Sequence, residues 1–251
     1  SDTAMHAGAL AGYVIDKVAG SYTVQDTVGT DGTDLVTNTE LLQFADMTVN
    51  LVVQAKAAAT PQADVDRLIE LYVAFFNRVP DANGLSYWID QKNGGLTINQ
   101  IAESFYDAGV QFSSLTGFSA SMTGGDFVDV VYRNVLGRQD GADAGGLAYW
   151  TGELAAGRES RGSLVSTILD SAHTFKGNPY GEGPGQFGQV ADLLDNKIVV
   201  SRTFAVDWGL NYNTPEDSIE QGMAIAAAIT PESIDAAIAL IGIADADINL
   251  G

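Results

Sequence analysis

The period of the apolar positions changes near residue 60. Before it they come in short runs: Tyr13-Val14-Ile15, Tyr22-Thr23-Val24, Leu41-Leu42-Gln43-Phe44 and Val49-Asn50-Leu51-Val52. Runs of this kind, bounded by Gly20, Asp and Asn, are strand signals. Residues 1–58 are therefore expected to form a small β-rich segment, and the pattern also allows a helix over Ala4 to Leu10. From Thr60 the spacing is helical. Thr60-Pro61 reads as an N-cap followed by proline at the first helical position. Leu68, Tyr72, Phe75, Phe76 and Val79 then recur at the offsets of one apolar face. Further helices are predicted over 97–108, 126–136, 143–155, 163–171, 190–196, 198–210, 214–229 and 231–241, the last two again opened by Thr-Pro. The expected fold class is mainly α, with a small N-terminal β segment followed by a multi-helix domain over 59–178. More helices, over 186–251, are expected to pack on that domain.

A repeat lies inside the helical part. Tyr72 through Arg78 aligns with Tyr132 through Arg138, and Asp81-Ala82-Asn83-Gly84-Leu85-Ser86-Tyr87-Trp88 aligns with Asp143-Ala144-Gly145-Gly146-Leu147-Ala148-Tyr149-Trp150. Tyrosine to tyrosine is 60 residues and tryptophan to tryptophan 62, so the second copy carries two extra loop residues. The shared pattern is Tyr, Arg six residues on, a loop, then Asp-x-x-Gly-Leu-x-Tyr-Trp. Self-similarity at such a period signals a repeated structural unit.

Composition narrows the chemistry. The 251 residues hold 32 acidic and 12 basic side chains, a net charge of −20, with 23 Asp against 9 Glu. This argues against nucleic acid and anionic membrane surfaces, which are bound through Lys and Arg. Having no cysteine removes disulfides, thiolate metal sites and Cys nucleophiles. Two histidines, His6 and His173, leave little for imidazole-rich zinc or copper sites. Oxygen-ligand chemistry, calcium above all, stays open. Ser1 to His6 has no basic stretch leading into an apolar core, so no secretory leader is expected there. The apolar runs 72–76 and 223–229 fall well short of the ~20 residues of a membrane span, so no membrane insertion is expected.

The repeated motif resembles that of the family known as domain of unknown function 4214, itself similar to the linker polypeptides of phycobilisomes. The resemblance covers 66–115 and 124–175. It implies tandem helical modules of the kind found in secreted and surface-layer-like bacterial proteins, frequently beside repeats-in-toxin sequences, and it brings no catalytic residues with it. Residues 22–46, with Gly29-Thr30-Asp31-Gly32-Thr33-Asp34 at their centre, resemble a degenerate repeats-in-toxin turn of a type I-secreted protein. They lack the paired glycines of the calcium nonapeptide, and there is one copy in place of an array.

Candidate metal ligands are Asp26, Asp31 and Asp34, hard oxygens at short spacing among Gly29 and Gly32, and Asp140, Asp143 and Asp81 in the repeat loops. Each has a structural reading beside it. Asp in a Gly-rich turn bonds its own backbone, and Asp81 and Asp143 sit where an N-cap belongs. Tyr87, Tyr149, Trp88 and Trp150 are candidate sugar-stacking residues, although Leu85/Trp88 and Leu147/Trp150 share a helical face that suits a core. Gly183-Pro184-Gly185-Gln186-Phe187-Gly188 has the dinucleotide spacing. No strand precedes it and no β-α-β rhythm surrounds it, so it reads as a loop. No hydrolase elbow, zincin or P-loop motif is present. His173 reads as a surface or satisfied helix-end residue. Residues 243–251 suit either a domain end or an uncleaved secretion signal.

These observations lead to one expectation with two rivals. The chain is expected to be a non-enzymatic, extracellular or cell-surface structural or adhesive module, assisted by calcium and associating with copies of itself or other surface proteins. The rivals are a module binding carbohydrate or another small ligand, and an accessory domain of a larger secreted hydrolase.

Overall fold

In the computed structural model, which describes residues 1–174, 187–243 and 247–251, the expected change of period near residue 60 is a change from sheet to helix. Six strands come first: β1 (Thr3–Met5), β2 (Tyr13–Val18), β3 (Ser21–Asp26), β4 (Thr33–Val36), β5 (Leu41–Gln43) and β6 (Met47–Asn50), with a 3-10 turn at Leu10–Gly12. The helix allowed over Ala4 to Leu10 gives way to β1, because Thr3, Ala4 and Met5 pair in parallel with Leu41, Leu42 and Gln43. The β2–β3 hairpin turns on Ala19 and Gly20, both at positive φ (49° and 86°). Such a two-residue turn matches the right-handed twist of the strands it joins.

The helices are α1 (Val53–Ala58), α2 (Gln62–Phe76), α3 (Ala82–Asn93), α4 (Ile98–Gln111), α5 (Ser113–Thr116), α6 (Gly124–Leu136), α7 (Ala144–Ala155), α8 (Arg161–His173), α9 (Phe187–Arg202), α10 (Pro215–Ala227) and α11 (Asp235–Ile241), with a π-helical turn at Thr203–Asp207. The chain is mainly helical, as expected, with a substantial β part. Thr214 caps α10 as its Thr-Pro signal predicts, accepting the Asp217 N–H. The other two Thr-Pro pairs do different work. Pro61 itself occupies the cap of α2 while the Thr60 hydroxyl donates to Lys56 O. Thr230 closes a turn with Ser233, and α11 starts only at Asp235.

The sheets are completed from the far end of the sequence. β7 (Leu210–Tyr212) pairs antiparallel with β6, giving the order β1-β5-β6-β7, and β8 (Ile248–Asn249) pairs in parallel with β2, giving β4-β3-β2-β8. The segment after 186 thus supplies a strand to each N-terminal sheet as well as helices. Gly209 makes the first join. It holds φ +62°, accepts the Asn50 N–H at 2.7 Å, and would put a Cβ 2.4 Å from Asn50 O.

One continuous apolar core runs through sheets and helices. At its centre α2 is buried on every face: Val65, Leu68, Ile69, Leu71, Val73, Ala74 and Phe75 are all at or below 1% exposure. It packs against α3, α4, α6, α8 and α9, which explains why its apolar positions exceed the single stripe of an amphipathic helix. An aromatic chain, Phe105–Phe75–Phe118–Phe127, carries the core from one repeat copy into the other, with ring centroids 5.7–6.1 Å apart. Among the described residues no helix is long and apolar enough to cross a membrane.

Candidate functional site

The repeated motif closes on itself. In the second copy Asp143 is the N-cap of α7, accepting from Gly146 N at 2.9 Å, and its other carboxylate oxygen pairs with Arg138 at 3.1 Å. Arg138 lies over the Tyr132 ring at 5.8 Å. The Tyr132 hydroxyl receives the indole N–H of Trp150 at 3.0 Å and sits against Gly146, where a Cβ would fall 2.6 Å away. The first copy repeats every contact. Asp81 accepts from Gly84 N at 2.7 Å, Arg78 pairs with Asp81 at 3.2 Å and covers Tyr72 at 4.8 Å, and Trp88 bonds the Tyr72 hydroxyl against Gly84. Tyr, Arg, Asp, Gly and Trp therefore form a lock between the first and second helices of each copy. The spacing is set by geometry: only glycine leaves room for the hydroxyl over the first turn of the second helix. Burial pushes both hydroxyls upward in pKa, so they stay neutral as they accept the tryptophan N–H groups.

The second lock falls inside a recognised stretch. Residues 111–177 match the family described as Domain of unknown function (DUF4214). No curated protein and no solved structure matches the chain. The matched stretch includes α6, α7 and α8, so the motif residues Tyr132, Arg138, Asp143, Gly146 and Trp150 hold together the part of the chain that is similar to that family.

Of the remaining candidate ligands, Asp26, Asp31 and Asp34 face partners within the N-terminal segment. Asp26 accepts three backbone N–H groups, from Val28, Gly29 and Asp31 at 2.7–3.0 Å, and these bonds hold its carboxyl below the ordinary range. Asp31 accepts from the Tyr13 hydroxyl at 2.6 Å, and Asp34 faces His6 Nδ1 at 3.8 Å. Asp140 is exposed in the loop after α6. That loop is closed by Asp129, which accepts from Ala142 N at 2.9 Å. Among the described residues no three His, Asp or Glu side chains gather as a metal site. Trp150 is buried and Trp88 half-buried, while Tyr87 and Tyr149 stand 54% and 58% exposed, each edge-on to its neighbouring tryptophan. The Gly-x-Gly-x-x-Gly segment lies outside the described residues except at its last two positions, which fall in the first turn of α9.

Three polar centres have partners that the sequence did not disclose, because those partners lie far apart along the chain. His173, the last residue of α8, bonds Glu70 on α2, and Arg67 bridges Glu70 and Asp170. Glu103 on α4 accepts from Gly162 N at the start of α8, at 2.9 Å. Lys197 on α9, 5% exposed, reaches the ends of α2 and α6.

The Glu70 bond raises the His173 pKa above the ordinary 6.5. A folded-state pKa raised above the unfolded one gives stability that is complete below pH ~6.5 and lost as pH rises through the folded value. His173→Gln is therefore expected to cost about 1–2 kcal/mol at pH 6 and clearly less at pH 8.5, read from urea melts at the two pH values. Equal losses at both would refute a charged His173.

Proposed function

We propose that this chain is a non-enzymatic structural or adhesive module of a secreted or cell-surface bacterial protein, and that residues 66–115 are a further copy of the module matched at 111–177. The observation that carries the reading is the pair of locks. In both copies the residues that define the motif, Tyr, Arg, Asp, Gly and Trp, spend their polar groups on one another and so serve architecture. The surface outside the locks is strongly acidic, since 32 carboxylates face only 12 Lys and Arg.

Calcium has a place in this proposal between copies. Asp26, Asp81 and Asp143 already accept backbone N–H groups, and a divalent ion gains more where it relieves repulsion between the acidic faces of two molecules. The supporting features are the charge of −20, the exposed Asp140 loop and the likeness of residues 22–46 to a repeats-in-toxin turn in exported proteins.

Light scattering on the full chain after chelation, with calcium then restored, tests it. The expected result is a rise in mean mass with calcium that reverses on adding chelator. A constant monomer mass over a hundredfold range of protein concentration, with or without calcium, would overturn the assembly reading.

A further inference from the structure

β4 ends its sheet, and at four residues it is the longest of the end strands, against three for β1 and β7 and two for β8. Thr33, Asp34 and Leu35 are exposed, Leu35 at 66%. The phase of the hydrogen bonds shows where its backbone points. Asp26 donates its N–H to Gly32 O at 2.8 Å, so 26 and 32 are a hydrogen-bonded pair, and by alternation so are Val24 with Asp34 and Tyr22 with Val36. Thr33 and Leu35 therefore direct N–H and C=O away from β3, along the outer edge, and Thr37 continues the row. Such an edge is a template for another strand, and β4 has neither the lysine nor the proline that commonly block one. Its one charge, Asp34, is turned to the face that carries Val24, where it meets His6 Nδ1 at 3.8 Å.

The residues on this edge specify the partner. Thr33-Asp34-Leu35-Val36-Thr37 is self-complementary about Leu35. Laid antiparallel on a second copy with leucine opposite leucine, Thr33 falls opposite Thr37 and Asp34 opposite Val36. A two-fold axis through that leucine pair lets the outward backbone groups of 33, 35 and 37 all find partners. The exposed leucines cover each other, threonine meets threonine, and no carboxylate stands opposite another, although each chain carries −20. The two Asp34 residues are diagonal neighbours, about 7–8 Å apart, and each faces its own His6. Slipping the strands toward residue 32 would set Asp34 directly against Asp34, so charge holds the register from that side.

We propose that two copies of this chain join edge to edge through β4, each continuing the four-stranded sheet of the other. The proposal rests on the self-association reading and names its surface. A strand this short buries less than the ~1,600 Å² of a standard interface, so a weak, concentration-dependent dimer is expected.

The full chain is tested by light scattering over a range of concentrations in calcium, beside two variants. Leu35→Pro removes an outward N–H and leaves the β3–β4 bonds alone, since proline is tolerated on that side of an edge strand. It is expected to keep a cooperative melt and to weaken dimerisation at least about tenfold. Leu35→Cys, in a chain without cysteine, brings two thiols together with Cα atoms ~5.5 Å apart, within disulfide reach. Diamide is expected to convert it to a covalent dimer, and to leave Leu240→Cys, at a position 55% exposed on α11, monomeric. If Leu35→Pro does not fold, the cysteine pair decides alone. Association undiminished in folded Leu35→Pro, or cross-linking as ready from 240 as from 35, overturns the β4 join and leaves assembly standing. A wild-type chain that stays monomeric throughout overturns both.

Discussion

Alanine at Gly84 is expected to destabilise the protein by about 2–4 kcal/mol, although glycine to alanine within an exposed helix ordinarily stabilises by up to ~1 kcal/mol. The reversal of sign comes from the lock. The new Cβ would stand 2.4 Å from the Tyr72 hydroxyl and 2.9 Å from Asp81 Oδ1. Neither can step aside cheaply. Tyr72 is 3% exposed and its ring meets Phe105 edge-on at 4.9 Å, while Asp81 caps α3 and pairs with Arg78. The same change at Gly146 is expected to cost less, about 1–3 kcal/mol, because the Cβ there meets the Tyr132 ring end, with the hydroxyl at 2.6 Å, while Asp143 Oδ1 stands clear at 3.6 Å. A double-mutant cycle isolates the cause. Tyr72→Phe alone loses the tryptophan bond and costs about 1 kcal/mol, yet in the Gly84→Ala background it removes the clashing oxygen and is expected to restore stability. Strictly additive losses in urea melts would show that the hydroxyl does not set the glycine.

That lock explains what the sequence disclosed readily. Asp81 and Asp143 as N-caps, Leu85 and Leu147 facing inward with the tryptophans, and the two-residue loop difference are all local to one helix pair, and local geometry writes itself into spacing. Elements that exist only through distant partners left no such trace. A lone Gly209 is the turn signal before Leu210-Asn211-Tyr212, too little to break the helical spacing predicted over 198–210. Residues 210–212 form a strand because Met47, Thr48 and Val49 offer an open edge more than 160 residues earlier in the chain. Thr33–Val36 has one buried side chain in four, so its alternation is too weak to read, and its pairing with β3 makes it a strand. The candidate ligands divide on the same principle. A carboxylate at short spacing from glycines announces a tight turn, but whether its oxygens meet a metal or a backbone N–H depends on the fold of the loop, and Asp26 meets three N–H groups.

Lys197 is expected to make the protein more stable as the solution becomes alkaline, over a range where most proteins weaken. Its ammonium sits where α2 and α6 end side by side, 3.4 Å from Oδ1 of Asn77, the left-handed C-cap of α2, and 3.3 Å from Asn134 O in the last turn of α6. Asn134 in turn donates to Ala74 O at 2.9 Å, so the orphan carbonyls of two helix ends are served by one lysine and one amide. Both helices present their negative ends there, which favours a cation. Burial acts the other way and prevails, pushing the lysine down to about 8 from 10.5. A base whose folded pKa lies below its unfolded one binds fewer protons folded than unfolded between those values, so stability rises with pH across that window. At ~1.4 kcal/mol per unit, the rise attributable to Lys197 amounts to about 2–3 kcal/mol between pH 8 and 10.5. Tyrosines with raised pKa values pull stability down above pH 10, so the lysine is isolated as a difference between wild type and Lys197→Met measured in the same buffers. That difference is expected to climb through the window and to be flat between pH 6 and 7. Parallel profiles would mean that the ammonium keeps its ordinary pKa and that the two helix ends, rather than burial, govern its charge.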